Sequence, residues 1–141
     1  MRLVVDTNVL VSAFLWQGTP GRLIGLAGEK EIALYTSRAL VDELSEVLHR
    51  MKLAKQVAAT GLTAAQMIGN YRRLATLVTT RQFAQQVSRD ADDDAVLACA
   101  LAAHVDLIVS GDKDLLVLKV FHDMPIVSAA QAIQYILNTE N

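Results

Sequence analysis

The chain has 141 residues, of which 52% are hydrophobic and 20% are charged, and its formal net charge is −2 at pH 7. This composition excludes a disordered chain, and the length suits one domain with a buried core. The slightly negative charge argues against a protein that coats nucleic acid through a broad basic surface. We therefore expect a single folded domain over residues 1–141.

Secretion and membrane insertion are not predicted by this sequence. The stretch before Asp6 is too short for a secretory signal, and no apolar run approaches the roughly 20 residues of a membrane span. Cys99 is the only cysteine, so the sequence offers neither an intrachain disulfide nor a cysteine-based zinc site. We expect a cytoplasmic protein that makes no membrane contact.

Short apolar runs alternate with helix-like segments along the chain. The runs are continuous and partly β-branched, which is typical of strands buried on both faces; they cover residues 3–5, 32–35, 107–109 and 126–127. Strands that alternate with helices predict a mostly parallel sheet covered by helices on both faces, and so an α/β fold.

Several helix starts can be read from residues that favour the N-cap position. The start signals are at Thr19-Pro20, Ser37, Thr63 and Ser128. The first of these helices is predicted to stop at Gly28, and the second to run to about Lys52. The last two signals each have a glutamine three residues later, which predicts a capping box.

Acidic residues recur where such a fold would bring them together. Asp6 follows the first apolar run, Glu43 lies in a predicted helix, residues 90–94 open another helix, and Asp112 and Asp114 follow the run at 107–109. Ligands of parallel sheets bind beyond the carboxyl ends of the strands. Because clustered carboxylates repel one another unless a cation binds, the pattern predicts a site for Mg²⁺ or Mn²⁺.

Helical geometry distinguishes these acids from their neighbours, at about 100° of rotation per residue. Glu43 falls at the edge of the apolar arc of its helix, whereas Asp42 lies on the solvated side. In the later acidic helix Asp93 points inward, Asp94 lies at the edge and Asp92 points outward. Glu43 and Asp93 are therefore the stronger site candidates.

Each acid also has an ordinary structural explanation. Asp6 could cap a helix, and Glu43 could be a half-exposed ion-pair partner. Residues 90–94 would be favoured at a helix start by the helix dipole, and Asp112 is a good turn residue. The joint pattern is harder to explain this way, because two acids follow strands, two lie on inward helix faces, and all can reach one edge of the sheet.

Four segments, taken in order, resemble the PIN domain family, in particular the toxin components of toxin–antitoxin systems. They are residues 4–12 with Asp6-Thr7-Asn8, residues 37–44 with the pattern Ser-x-x-Leu-x-x-Glu-Leu, residues 89–100 with the acidic run, and residues 109–116 with Ser-Gly-Asp-Lys-Asp. The resemblance extends from residue 2 to about residue 136. It implies a three-layer α/β/α fold and a ribonuclease that uses Mg²⁺ or Mn²⁺.

The resemblance also assigns roles to individual acids. Position by position, the acids of the family fall on Asp6, Glu43, Asp93 and Asp112. Asp6, Asp93 and Asp112 are the predicted metal ligands, and Glu43 would either ligate the metal or position the attacking water. The secondary candidates share a place beside these four; they are Asn8, Asp90, Asp94 and Asp114. The choice between Asp93 and Asp94 is ambiguous by one residue, and helical geometry favours Asp93.

Three classes of function remain open. The first is an endoribonuclease toxin, for which the resemblance implies an RNA substrate, a homodimer and a small antitoxin protein that enters the acidic site. The second is a PIN-like nuclease in RNA processing without an antitoxin. The third is a non-catalytic α/β binding domain or a phosphoacceptor domain. The phosphoacceptor is disfavoured, because such domains place an acidic pair after the first strand and a lysine after the last.

Two further residues have competing interpretations. Trp16 is interpreted as a core residue rather than as a base-stacking residue near the site. Ser110 could hydrogen-bond the acidic cluster, but ordinary turn bonding is the favoured interpretation.

Overall fold

The computed structural model describes residues 1–88 and 90–139, apart from the side chains of Ala91 and Asp92. Arg89, which belongs to the acidic motif, lies outside the described residues, and so does the predicted outward orientation of Asp92. Within the described residues, the strands are β1 (Arg2–Val5), β2 (Ala33–Thr36), β3 (Thr76–Leu77), β4 (Leu107–Val109), β5 (Val120–Phe121) and β6 (Met124–Val127). The helices are α1 (Thr7–Leu15), α2 (Gly18–Gly28), α3 (Arg38–Leu48), α4 (Ala54–Ala59), α5 (Ala64–Leu74), α6 (Ala91–Ala103), α7 (Lys113–Leu116) and α8 (Ala129–Thr139), with a 3₁₀ turn at Met51–Leu53.

The strands form one sheet in the order β3-β2-β1-β4-β6-β5. All neighbouring strands are parallel except β5, which is antiparallel to β6 at one edge. The predicted α/β fold with a mostly parallel sheet is confirmed. The sequence missed β3 and β5, because each has only two residues and carries no readable apolar pattern.

Successive residues of β1 point to opposite faces of the sheet, and both faces are covered. Leu3 and Val5 belong to a core shared with α1, α2, α3, α5 and α8. Val4 belongs to a second core, formed mainly with α6 and the short helix α7. Each side chain is at most 1% exposed. The fold therefore has three layers, α/β/α, with the central strands buried on both sides.

The predicted helix boundaries are partly confirmed. Helix α2 ends at Gly28 as predicted, but it begins at Gly18, two residues before the predicted first helical residue Pro20, and its N-cap is Gln17 rather than Thr19. The prediction that the helix after Ser37 runs to Lys52 is wrong, because α3 ends at Leu48. The ring of His49 contacts the Ser45 carbonyl at 2.7 Å, and Arg50 then leaves the helical region with ψ 136.

Both predicted capping boxes are present. The amide of Gln66 donates to Thr63 Oγ1 at 3.1 Å, and the Gln66 side chain accepts from the Thr63 amide at 2.9 Å. Ser128 and Gln131 repeat the arrangement with distances of 3.2 and 2.9 Å. These helix starts are set by local sequence, since each motif satisfies its own terminal amides.

Trp16 is the clearest error of the sequence interpretation. It was predicted to be a core residue, but it is 58% exposed. It follows the last residue of α1 at the C-cap, and Gln17 then turns the chain with a φ of 59°. The ring therefore lies at a corner between two helices rather than on the apolar face of either.

Among the residues that the structure describes, no helix is both long and apolar enough to cross a membrane.

Candidate metal centre

The centre of the sheet provides a crevice at the carboxyl ends of β1 and β4. These strands are parallel neighbours in which Val5 pairs with Val109, and the Asp6 amide donates to the Val109 carbonyl at 2.9 Å. The chain places β2 on one side of β1 and β4 on the other, so the strand order reverses here. Such a switch point is where open α/β sheets bind ligands. Asp6 and the Ser110–Asp112 turn both lie at it.

Asp6 is a buried carboxylate whose side chain does not act as a helix cap. It immediately precedes α1 but makes no capping hydrogen bond there, and only 5% of the residue is exposed. Its Oδ2 accepts a hydrogen bond of 2.8 Å from Ser110 Oγ. Burial raises the pKa of Asp6, the Ser110 bond and the nearby amides of Thr7 and Asn8 oppose that shift, and the Asp112 charge adds to it. Capping alone therefore does not account for this carboxylate, because it is buried and bonded to Ser110.

Ser110 links the acids that follow the two central strands. Its hydroxyl donates to Asp6 and accepts from the Asp112 amide at 2.9 Å. Asp112 in turn accepts from the Asp114 amide at 2.8 Å through Oδ1, which caps α7. The favoured turn interpretation of Ser110 is therefore only half of its role, because the same hydroxyl also holds Asp6. Asp114 contributes its backbone amide to this turn.

Asp93 brings a third carboxylate from the first turn of α6. Its predicted inward orientation is confirmed, since it is 5% exposed. The pKa of Asp93 is raised to about 7, first by burial and then by the charges of Asp112, Asp6 and Asp90. A hydrogen bond of 3.3 Å from Ser88 Oγ opposes this shift. The sequence carried no signal for Ser88, which lies in a polar stretch without a motif.

The carboxylates converge closely enough to share a cation. One oxygen from each of Asp90, Asp93 and Asp112 lies within 4.8 Å of the others. Asp6 is not in that closest group, but its charge acts on Asp93 and it feels the charge of Asp112. Two of the three predicted ligands, Asp93 and Asp112, thus lie in one group with the exposed Asp90, a secondary candidate, and Asp6 lies close enough to interact electrostatically with both.

The donor set fits a hard divalent cation. Among the described residues, no lysine or arginine forms an ion pair with Asp6, Asp93 or Asp112. Burial and mutual repulsion raise the pKa values of Asp6 and Asp93, so holding both carboxylates ionised at this place is unfavourable without a cation. Carboxylate oxygens are the ligands that Mg²⁺ and related ions prefer. An ion bound here would relieve the repulsion.

The remaining predicted residues lie around this cluster. Glu43 is half-buried in α3 and Asn8 is exposed in the first turn of α1. Asp94 accepts the amides of Val87 and Ser88 at 2.8 and 2.7 Å, so its carboxylate anchors that segment. The structure therefore places Asp93, rather than Asp94, among the clustered acids. The catalytic roles of all these residues stay predictions.

A three-layer α/β fold with clustered carboxylates at its switch point defines a class of proteins built to hold a cation beside the sheet. The chain belongs to the PIN domain family, whose model matches residues 2–114. It is also 29% identical over 129 residues to an uncharacterised protein of Methanocaldococcus jannaschii, covering 84% of this chain and 76% of that relative. No solved structure matches the chain. Family membership suggests a nuclease-type hydrolase, and PIN domains typically use a divalent metal.

Proposed function

We propose that this protein is an endoribonuclease that hydrolyses RNA phosphodiester bonds with the help of Mg²⁺ or Mn²⁺. The observation that carries the proposal is the convergence of Asp90, Asp93 and Asp112 within 4.8 Å, with Asp6 beside them, in a PIN domain. Several carboxylates gathered in a partly buried crevice repel one another, which is costly to fold unless the group serves to bind a cation.

The chain would divide the work of the site among these side chains. Asp6, Asp93 and Asp112, with Asp90, would hold the ion. When bound, such an ion lowers the pKa of water and stabilises charge on the scissile phosphate. Ser110 fixes the orientation of Asp6 through its 2.8 Å hydrogen bond, as outer partners of metal ligands commonly do. Glu43 would complete the site as a ligand or by positioning the attacking water.

The test is cleavage of single-stranded and loop-containing RNA by purified protein. We expect cleavage with Mg²⁺ or Mn²⁺ and none after EDTA is added. Protein carrying Asp6→Asn, purified in parallel, controls for contaminating ribonucleases. Cleavage that persists in chelator, or that is equal in the Asp6→Asn preparation, would contradict the metal mechanism.

We further propose that the nuclease is a cytoplasmic toxin held in check by a small antitoxin protein. Support comes from the resemblance of its four segments to PIN toxins. Expression of the chain alone should arrest bacterial growth, expression of an Asp93→Asn variant should not, and a small neighbouring reading frame should relieve the arrest. Normal growth with an active nuclease would favour the alternative of an RNA-processing enzyme without an antitoxin.

We propose that the protein functions as a homodimer. Several large apolar side chains are exposed, including Met51 at 92%, Val117 at 71% and Trp16 at 58%. Exposed apolar surface of this kind is commonly buried between subunits. Analytical ultracentrifugation over a wide concentration range should show a dimer, and a strictly monomeric species would refute this proposal.

A further inference from the structure

A second concavity lies beside the acidic cluster, between α3, α6 and the irregular segment of residues 78–88. Its volume is ≈ 460 Å³, within the range of small-ligand sites. Three alanines, Ala39, Ala95 and Ala98, line it from the helices. The residues that line it from the segment are mostly polar and include Arg81, Gln82 and Gln85. We call this concavity the side cleft. Asp94 also lines it and directly follows Asp93 of the acidic cluster, so the two sites adjoin.

One end of the segment is tied to the start of α6. The Asp94 carboxylate accepts the amides of Val87 and Ser88 at 2.8 and 2.7 Å, distances expected of strong hydrogen bonds to a charged acceptor. Ser88 then reaches Asp93 through its hydroxyl at 3.3 Å. The wall of the side cleft is thereby held at a defined position relative to the acidic cluster.

The segment is also held at its beginning and in its middle. The Val78 amide donates to the Thr36 carbonyl at 2.8 Å, which continues the pairing of β3 with β2. The ring of Phe83 packs edge-to-face against Phe121, with centroids 5.8 Å apart. A chain stretch without helix or strand is thus fixed at three places, which limits the conformations that its side chains can sample.

Three polar side chains of this fixed wall are free to meet a ligand. Arg81, Gln82 and Gln85 are exposed, and none makes a side-chain hydrogen bond or ion pair within the described part of the chain. A glutamine amide offers both donors and an acceptor, and a guanidinium offers several donors. A solvated loop would explain exposed amides, but it would not explain why the segment is anchored at three places beside helices that line the cleft with alanines.

This combination matches one chemical class. A nucleobase has flat apolar faces and an edge of donors and acceptors, and single-stranded RNA is read by splaying out such bases. We propose that the side cleft binds one unstacked base of single-stranded RNA, next to the phosphodiester that the acidic cluster hydrolyses. The assignment rests on the endoribonuclease function proposed above and adds a site that selects the nucleotide beside the cut.

The first test measures binding without turnover. Fluorescence anisotropy with short labelled oligoribonucleotides is recorded in Ca²⁺, which supplies the charge of the ion with a different coordination preference. The Gln82→Ala/Gln85→Ala double variant should raise the Kd about tenfold, the effect of losing roughly one base contact. The matched control is Gln134→Ala, an exposed glutamine on α8.

A steric variant tests the opposite wall. Ala39→Leu adds bulk to the side cleft at an exposed position, the second residue of a helix capped by a serine, and should weaken binding by a similar factor. Ala130→Leu, also the exposed second residue of a helix that follows a serine with capping geometry, should bind like the wild type. Folding of all variants is checked by their melting temperatures.

The second test measures cleavage in Mn²⁺ on oligonucleotides that differ at one base beside the cut. The side-cleft variants should raise KM more than they lower kcat, and should flatten the preference among the four bases. If the variants bind and cleave with wild-type affinity and preference, the side cleft is not a base site. If RNA binds through the side cleft but is never cleaved, the base site stands and the nuclease function fails.

Discussion

The two halves of the acidic site are built differently. The strand half consists of Asp6, Ser110 and Asp112, which follow the central strands β1 and β4 and are joined by hydrogen bonds of 2.8 and 2.9 Å. The helix half consists of Asp90 and Asp93, and Asp93 accepts a 3.3 Å hydrogen bond from Ser88 in the irregular segment. The strand half is therefore held by the sheet itself, and the helix half by an irregular segment that is anchored at a few points.

This difference indicates a division of labour. Because Asp6 and Asp112 follow buried parallel strands, we expect both to keep their places whether or not a cation or RNA is bound. The helix half carries Asp93, whose pKa is raised to about 7. The charge of Asp93 therefore depends most on whether a cation binds beside it. We expect the strand half to define the position of the ion and the helix half to respond to it.

The largest expected effect is the loss of catalysis when an acid of either half is removed. Asp6→Asn and Asp93→Asn should each lower kcat by more than about 100-fold, since losing even an outer partner of a metal ligand costs 10- to 100-fold. Asp42→Asn, on the exposed side of α3, is the control and should stay active. A dead Asp92→Asn enzyme beside an active Asp93→Asn enzyme would show that the helical register is off by one residue.

The second effect in size is the stabilisation of the folded protein by the bound ion. At 100 times its Kd, Mn²⁺ should stabilise the wild type by about 2.7 kcal/mol, because it binds only the folded site. Asp6→Asn and Asp112→Asn should show a much smaller rise in melting temperature. Differential scanning calorimetry with and without Mn²⁺ measures both, and equal rises in wild type and variants would place the ion elsewhere.

The two serines provide a direct comparison of the halves. Ser110→Ala removes the 2.8 Å bond to Asp6, and Ser88→Ala removes the 3.3 Å bond to Asp93. We expect Ser110→Ala to weaken Mn²⁺ binding by roughly tenfold and Ser88→Ala to weaken it only a few-fold. Isothermal titration calorimetry gives both affinities. The reverse order would mean that the helix half, not the strand half, positions the ion.

The smallest effect is on the stability of the metal-free protein. Since folding raises the pKa of Asp93 from 3.8 to about 7, the folded state binds more protons than the unfolded state between those values. Asp93 therefore lowers the free energy of unfolding as pH rises from about 4 to about 7, and above pH 7 this effect stays constant. The raised pKa of Asp6 acts in the same direction.

The Asp93→Asn substitution should remove the loss of stability that the metal-free protein shows as pH rises. In EDTA at pH 8 the variant should be as stable as the wild type, or more stable by on the order of 1 kcal/mol once solvent screening is allowed for. At pH 5 the advantage should shrink. Urea unfolding at both pH values makes the comparison, and a variant that unfolds well before the wild type at pH 8 would identify Asp93 as a structural residue.

Much of the fold could be predicted because the responsible signals are local. The apolar runs of β1 and β4, the two capping boxes and the inward side of Asp93 all follow from residue spacing of two or 3.6. The burial of Asp93 and the half-burial of Glu43, against the exposed Asp42, agree with the helical wheel. Periodicity suffices here, because it decides which side chains a regular element turns toward the core.

Other features depend on contacts between distant parts of the chain. Ser110 reaches Asp6 across 104 residues, and no local pattern predicts that one hydroxyl will both close a turn and hold a buried carboxylate. The strands β3 and β5 exist only because longer neighbours offer them partners. Trp16 was placed in the core because its own segment is apolar, whereas the turn at Gln17 directs it outward.

A parallel α/β sheet with acids following its strands can be predicted from the chain, because alternation and composition dictate which segments are buried. Which acids meet depends on how the elements pack, and packing brings Asp90 toward Asp93 and Asp112 and turns Asp94 toward the segment of residues 78–88. The physical reason is that burial is encoded residue by residue along an element. Convergence instead depends on the angles at which elements pack, which are set by the whole core at once.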